Sequence, residues 1–265
     1  MSKGNIIKRI RALSEKNKKA ISIYLTFGYP SIKTTEKLIY LLPELGVDMI
    51  ELGLPFSDPI ADGPTIQYSS AEALKRKVNI YQLLSLTKKV KRNISVPIIL
   101  MSYLNPIYQM FKDSNHCRQL YIFDGIIIPD LIIEEENILP HELRQNVDII
   151  YLVSPTTTEE RIKHILSKTD GFAYIVSVTG VTGARGTLPS YLMSFLRKVK
   201  KISKNKPILL GFGISNPKQI MPYLKTIDGI IIGSAIIDII RGSSSEKEMF
   251  SGIKSFIEKF TSLLH

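Results

Sequence analysis

Residues Ala20–Gly53 read AISIYLTFGYPSIKTTEKLIYLLPELGVDMIELG. A strand-like run from Ala20 to Thr26 is followed by a helical segment, Thr34 to Leu42, and then by a second strand-like run, Val47 to Gly53. Two strands joined through a helix pair in parallel by a right-handed crossover, because a tight hairpin serves only antiparallel neighbours. This unit decides the fold, because the rest of the chain repeats it.

Further strand-like runs lie at Val96 to Ser102, Asp124 to Pro129, Val147 to Ser154, Phe172 to Ser177, Pro207 to Gly211 and Asp228 to Ile232. Between them fall helical segments at Ile80 to Arg92, Asn105 to Leu120, Glu134 to Leu143, Glu159 to Lys168, Leu192 to Lys200 and Pro217 to Leu224, with a long tail from Glu246 to Leu264. Eight strands in this rhythm predict an α/β fold, a closed (β/α)8 TIM barrel. The rival open doubly wound sheet lacks support, since no GxGxxG follows the first strand and no GxxxxGK[ST] occurs. No Pro- or Ser-rich linker divides the chain, so residues 1–265 are expected to form a single domain. Ile6, Ile7, Ile10 and Leu13 recur at helical spacing among basic residues. We read them as an additional N-terminal helix rather than a transit peptide.

Composition narrows the function class. Of 265 residues, 44% are hydrophobic and 22% charged, which excludes a disordered chain. The richest apolar stretch, Ile227 to Ile240, contains Asp228 and Asp238 and falls short of a membrane span. The net charge of +11 is spread over many helices with little aromatic interleaving, so it reads as solvated surface rather than a nucleic-acid site. A lone cysteine, Cys117, precludes an internal disulfide and suits a reducing, cytoplasmic setting. His116, His141, His164 and His265 are scattered without metal-ligand spacing, so no metal site is expected.

In a barrel of this kind chemistry sits at the carboxyl ends of the strands. Those ends supply no lysine and no histidine, which disfavours Schiff-base and metal-assisted aldol chemistry. They do supply Glu51, two residues beyond Met49 and four beyond Val47 on the same face of its strand. A carboxyl group among such apolar neighbours has a raised pKa, suited to giving and taking protons near neutrality; a core salt bridge or hydrogen bond is the structural alternative. The loop Pro55-Phe56-Ser57-Asp58-Pro59-Ile60-Ala61-Asp62-Gly63-Pro64 restricts its own conformations and carries two more carboxylates. Asp62 follows Glu51 by 11 positions and can return over the mouth to pair with it, although either aspartate taken alone also reads as a turn or helix-cap residue.

Near the C-terminus, Gly211-Phe212-Gly213-Ile214-Ser215 and Gly233-Ser234-Ala235 follow adjacent strands. They read as an anion cradle completed by a helix N-terminus, or as glycines serving tight turns alone. Thr179 to Pro189, with three glycines, suggests a lid or a plain surface loop. Tyr174 reads equally as core packing or as a phenol aimed at a ligand.

Taken together, Glu51 to Gln67, Gly180-Val181-Thr182-Gly183-Ala184-Arg185, Gly211 to Ser215 and Gly233-Ser234-Ala235 resemble the tryptophan synthase alpha chain family over nearly the whole sequence. The resemblance implies a lyase that cleaves indole-3-glycerol phosphate to indole and glyceraldehyde 3-phosphate, within an alpha2-beta2 assembly. It implies no cofactor in this chain, pyridoxal phosphate belonging to the beta partner. It makes Glu51 the principal acid/base and sets Asp62 on the indole N–H. Tyr24 and Tyr174 match pocket positions, Gly183, Gly213, Gly233 and Ser234 match phosphate-binding positions, and Thr182 matches a lid residue that supports Asp62. Asp58, Pro59 and Asn105 match positions facing the beta chain. A catalytically silent allosteric barrel and another phosphosugar barrel are the rival functions; intact Glu51 and Asp62 argue against the first, and the missing strand-borne lysine against an indole-glycerol phosphate synthase.

Overall fold

The computed structural model describes residues 3–177, 189–211 and 213–265. Nine strand segments form one parallel sheet: β1 (Ala20–Thr26), β2 (Met49–Gly53), β3 (Ile98–Met101), β4 (Gly125–Ile127), β5 (Asp148–Ile150), β6 (Leu152–Val153), β7 (Ala173–Val176), β8 (Ile208–Gly211) and β9 (Gly229–Ile232). Their order is β5-β4-β3-β2-β1-β9-β8-β7-β6. The two ends of that order, β5 and β6, are consecutive in the chain and separated only by Tyr151. The expected fifth strand is thus interrupted once, and the chain itself closes the cylinder. All seven residues of β1 are buried, as are all five of β2. One face of each strand fills the barrel and the other is covered by helices.

Several helices differ from expectation, and local chemistry explains the differences. Pro140 divides the expected Glu134 to Leu143 helix into a 3-10 stretch, Ile133–Ile138, and a short helix, His141–Asn146. Asp113 caps a fresh start, so the Asn105 to Leu120 region becomes Leu104–Phe111 and Ser114–Gln119. The helix Pro64–Lys75, opened by a proline in its first turn, was not anticipated; it carries the chain away from the Asp62 loop. The N-terminal helix is present as Asn5–Ser14, with Ile6, Ile10 and Leu13 buried.

The amino ends of the strands share one device. Asp48, Asp124, Asp170 and Asp228 stand just before or near the starts of β2, β4, β7 and β9. Their carboxylates accept the backbone N–H groups of Ile21, Ile98, Ile149 and Ile208 at 2.9, 2.8, 3.1 and 2.8 Å. Each carboxylate also meets a cation: Arg9, Lys91, Lys3 and Lys200 respectively. Charge-assisted bonds of this kind lock neighbouring strands at the end remote from the carboxyl-end mouth.

Candidate active site

β1 and β2 pair with Ser22 opposite Met49 and Tyr24 opposite Glu51. Side chains alternate along each strand, so Ser22 and Tyr24 share the inward face of β1, and Ser22 reaches diagonally to Glu51. Its hydroxyl donates to Glu51 Oε1 at 2.9 Å, and both residues are wholly buried. Glu51 Oε2 has no hydrogen-bond partner among the described residues. Burial without a cation pushes the Glu51 pKa up to about 8, against the opposing pull of the Ser22 bond. The raised pKa expected from the sequence is therefore present, and no salt bridge to Glu51 is found among the described residues.

Asp62 is buried beside the mouth. Tyr103, just beyond β3, donates its phenol to Asp62 Oδ2 at 3.1 Å and accepts the Ala61 N–H at 2.9 Å. Phe56 stacks on the Tyr103 ring with centroids 5.1 Å apart. The Asp62 backbone is held in turn by a bond from its N–H to Pro59 O and by Gln67 Nε2 on its own carbonyl. Burial raises the Asp62 pKa to about 6, and the Tyr103 bond restrains the rise.

A pocket at this end of the barrel is lined by Tyr24, Asp62, Ile66, Met101, Tyr174, Gly213, Ile231, Gly233 and Ser234. The phenols of Tyr24 and Tyr174 lie within the fields of both Glu51 and Asp62 and are driven to higher pKa by burial first and by those carboxylates next. Both tyrosines are buried and line the pocket. The glycines at the strand ends divide their roles. A Cβ at Gly53 would strike the Tyr24 hydroxyl at 2.1 Å, and one at Gly211 would meet the Tyr174 ring at 2.7 Å, so these two clear space for the phenols. Gly213, with φ of 74°, supplies a left-handed turn on the pocket wall. Gly233 immediately precedes the helix Ser234–Gly242. The Ile236 and Ile237 N–H groups turn back to the Gly233 carbonyl at 2.9 and 3.2 Å, and Ser234 lines the pocket at the first turn, a helix end of the kind suited to anions.

Asp58 and Asn105 are exposed, and Pro59 is partly so. Ile60 is 81% exposed, and Tyr108 and Ile132 are also large exposed apolar groups. Thr182, Gly183 and the expected lid at 179–189 lie outside the described residues apart from Pro189, as does Phe212. Reading from sequence missed Tyr103 and Ser22 as site residues. Tyr103 had a signal, its place directly after a strand end; Ser22 had only its spacing of two from Tyr24. Among the described residues no group of three or more His, Cys, Asp or Glu side chains could hold a metal, and no helix is long and apolar enough to cross a membrane.

A parallel barrel with two buried carboxyl groups of unequal pKa at its carboxyl end has the architecture of a barrel enzyme, and such a pair is suited to acid/base chemistry. The family model described as tryptophan synthase alpha chain matches residues 10–264. The tryptophan synthase alpha chain of Dehalococcoides mccartyi is 43% identical over 240 residues, covering 89% of this chain and 93% of that relative. That of Alkaliphilus metalliredigens is 39% identical over 258 residues, 96% of each. Among solved structures, tryptophan synthase of Mycobacterium tuberculosis superposes with a TM-score of 0.86 at 28% identity, covering 98% of this chain and 97% of that one. The tryptophan synthase alpha subunit of Pyrococcus furiosus gives 0.80 at 32% identity, covering 92% and 99%. This chain belongs to the tryptophan synthase alpha chain family, carbon–carbon lyases that cleave indole-3-glycerol phosphate in tryptophan biosynthesis.

Proposed function

We propose that Glu51 and Asp62 carry out the cleavage of indole-3-glycerol phosphate in this chain, with Glu51 acting first as acid and then as base. The observation that carries this reading is a fully buried Glu51, with one oxygen bonded to Ser22 and the other unpartnered among the described residues, that shares the pocket phenols Tyr24 and Tyr174 with a second buried carboxyl group, Asp62.

The chemistry follows from electron demand. Protonated Glu51 gives its proton to C3 of the indole, which turns the ring into an iminium. The resulting carboxylate then takes the proton of the substrate hydroxyl on the carbon next to C3. As that carbon becomes an aldehyde, the bond to C3 breaks and its electrons flow through C2 to the ring nitrogen. Indole and glyceraldehyde 3-phosphate leave, and Glu51 is again protonated. Asp62, ionised above about pH 6, accepts the indole N–H and stabilises the positive charge that develops there. The protonated ring is its own electron sink, so this route calls for no cofactor in the chain.

Gly213, Gly233 and Ser234 would hold the phosphate, with Gly183 completing the cradle and Thr182 supporting Asp62. Tyr24 and Tyr174 would wall the indole. For the beta partner we propose the face that carries Asp58, Pro59 and Asn105, because Ile60 and Tyr108 leave apolar surface uncovered in the same loop and the same helix. An alpha2-beta2 tetramer with pyridoxal phosphate held by the beta chains fits that arrangement, as does a cytoplasmic setting for a chain with one buried thiol. A hydrophobic cluster running from Ile6 to Leu264 supports residues 1–265 as one domain. The decisive test is release of indole from indole-3-glycerol phosphate by the purified chain, with and without a beta chain. Turnover that rises on adding the partner is expected; no indole under either condition would overturn the proposal.

A further inference from the structure

The two oxygens of Glu51 are not equivalent. Oε1 accepts the Ser22 hydroxyl at 2.9 Å, in a place where neither residue is exposed, while Oε2 has no partner among the described residues. A hydroxyl that donates to Oε1 favours the protonated carboxyl group in which Oε1 is the carbonyl oxygen and Oε2 carries the hydrogen. The same bond also removes one rotational freedom from the Glu51 side chain. Glu51 faces Ile99 across β3. Its titratable neighbours are Tyr24 on β1 and Tyr174 on β7, with Asp62 beyond them in the loop after β2. None of these is a cation.

We propose that Ser22 is a positioning residue for the cleavage reaction, reserving Oε2 of Glu51 as the oxygen that exchanges protons with the substrate. Every transfer then passes through one atom. The Oε2–H bond breaks as the C3–H bond forms, and Oε2 recovers a proton from the substrate hydroxyl as the carbon–carbon bond breaks. Ser22 keeps its own proton throughout and touches neither substrate nor product. The inference rests on the assignment of Glu51 as the acid/base.

Threonine and valine have nearly the same shape, and only threonine keeps the hydroxyl, so Ser22→Thr and Ser22→Val separate hydrogen bonding from packing. The C=O stretch of protonated Glu51 is read by infrared difference spectroscopy against Glu51→Gln, and kcat and KM are followed with pH. In S22V the band moves to higher frequency, since its carbonyl oxygen has lost a hydrogen bond. The alkaline limb of kcat moves up by about 0.5–1 pH unit, because the bond that favoured the carboxylate is gone. The same variant loses about 10-fold in kcat with little change in KM, whereas S22T keeps the wild-type band and limb. Identical bands and limbs in S22T and S22V would overturn the inference while leaving the Glu51 assignment intact. A Glu51→Gln protein that still cleaves the substrate would overturn both.

Discussion

Tyr103 holds Asp62 from one side and the backbone of the same loop from the other, since its hydroxyl donates to Asp62 Oδ2 at 3.1 Å and accepts the Ala61 N–H at 2.9 Å. Tyr103 also directly precedes the helix Leu104–Phe111, which carries Asn105 and Tyr108 on the proposed partner face. One phenol therefore joins the carboxylate expected on the indole nitrogen to the surface expected to meet the beta chain. Replacing it by phenylalanine preserves the stack on Phe56 and removes only the hydrogen bonds. Because that bond lowers the Asp62 pKa, Tyr103→Phe should move the acidic limb of kcat/KM above its wild-type position and cut the rate about 10-fold. A pH–rate profile with an unmoved acidic limb would count against the link.

The wild-type profile itself is predicted to be bell-shaped. Asp62 acts as an anion and titrates near pH 6, whereas Glu51 starts as an acid and titrates near pH 8. Activity should rise through about 6 and fall through about 8. Steady-state kinetics with indole-3-glycerol phosphate between pH 5 and 9.5 checks this.

Glu51→Gln should lower cleavage by roughly 10²–10⁴-fold while a phosphorylated indole analogue still binds. The same change should stabilise the fold at alkaline pH. The folded pKa of Glu51 is raised, so the native state binds the extra proton and stability falls as pH rises from about 4.5 to about 8. Glutamine cannot ionise, so its advantage over the wild type should be absent near pH 4.5 and reach on the order of a few kcal/mol above pH 8. Urea denaturation at the two pH values measures it.

At the other end of the barrel, Asp124 is buried and receives the Ile98 N–H, Lys91 Nζ and Asn5 Nδ2 at 2.8, 2.7 and 2.9 Å. Asp124→Ala strands a buried N–H and an ammonium, so a loss of about 2–4 kcal/mol is expected. The urea midpoint should fall, with kcat of the folded protein retained, because the mouth lies at the opposite ends of the strands.

Asp58 is exposed; its carboxylate accepts the Ser57 hydroxyl at 2.5 Å and its backbone carbonyl accepts the Ile60 N–H at 2.9 Å. Asp58→Ala should leave basal cleavage by the isolated chain nearly unchanged and weaken its stimulation by the beta chain. Titrating the beta chain against indole release distinguishes the two effects; an equal fall in basal turnover would place Asp58 in the chemistry instead.

The sequence by itself determined the alternation of strands and helices, the inward direction of Glu51 from its spacing with Met49 and Val47, and the barrel that eight such units imply. These are local properties, set by side-chain period and by the bar on hairpins between parallel strands. It also marked the glycine-rich turns, although it could not divide them. Only the folded chain shows that Gly53 and Gly211 make room for Tyr24 and Tyr174, whereas Gly213 and Gly233 face the pocket. The Ser22 bond to Glu51 depends on the register between β1 and β2, and the Tyr103 bond to Asp62 on the return of a loop across β3. Such contacts join residues 29 and 41 positions apart. Periodicity along one segment carries no information about which partner closure of the cylinder will bring beside it, so the acids could be read from the chain and the groups that tune them could not.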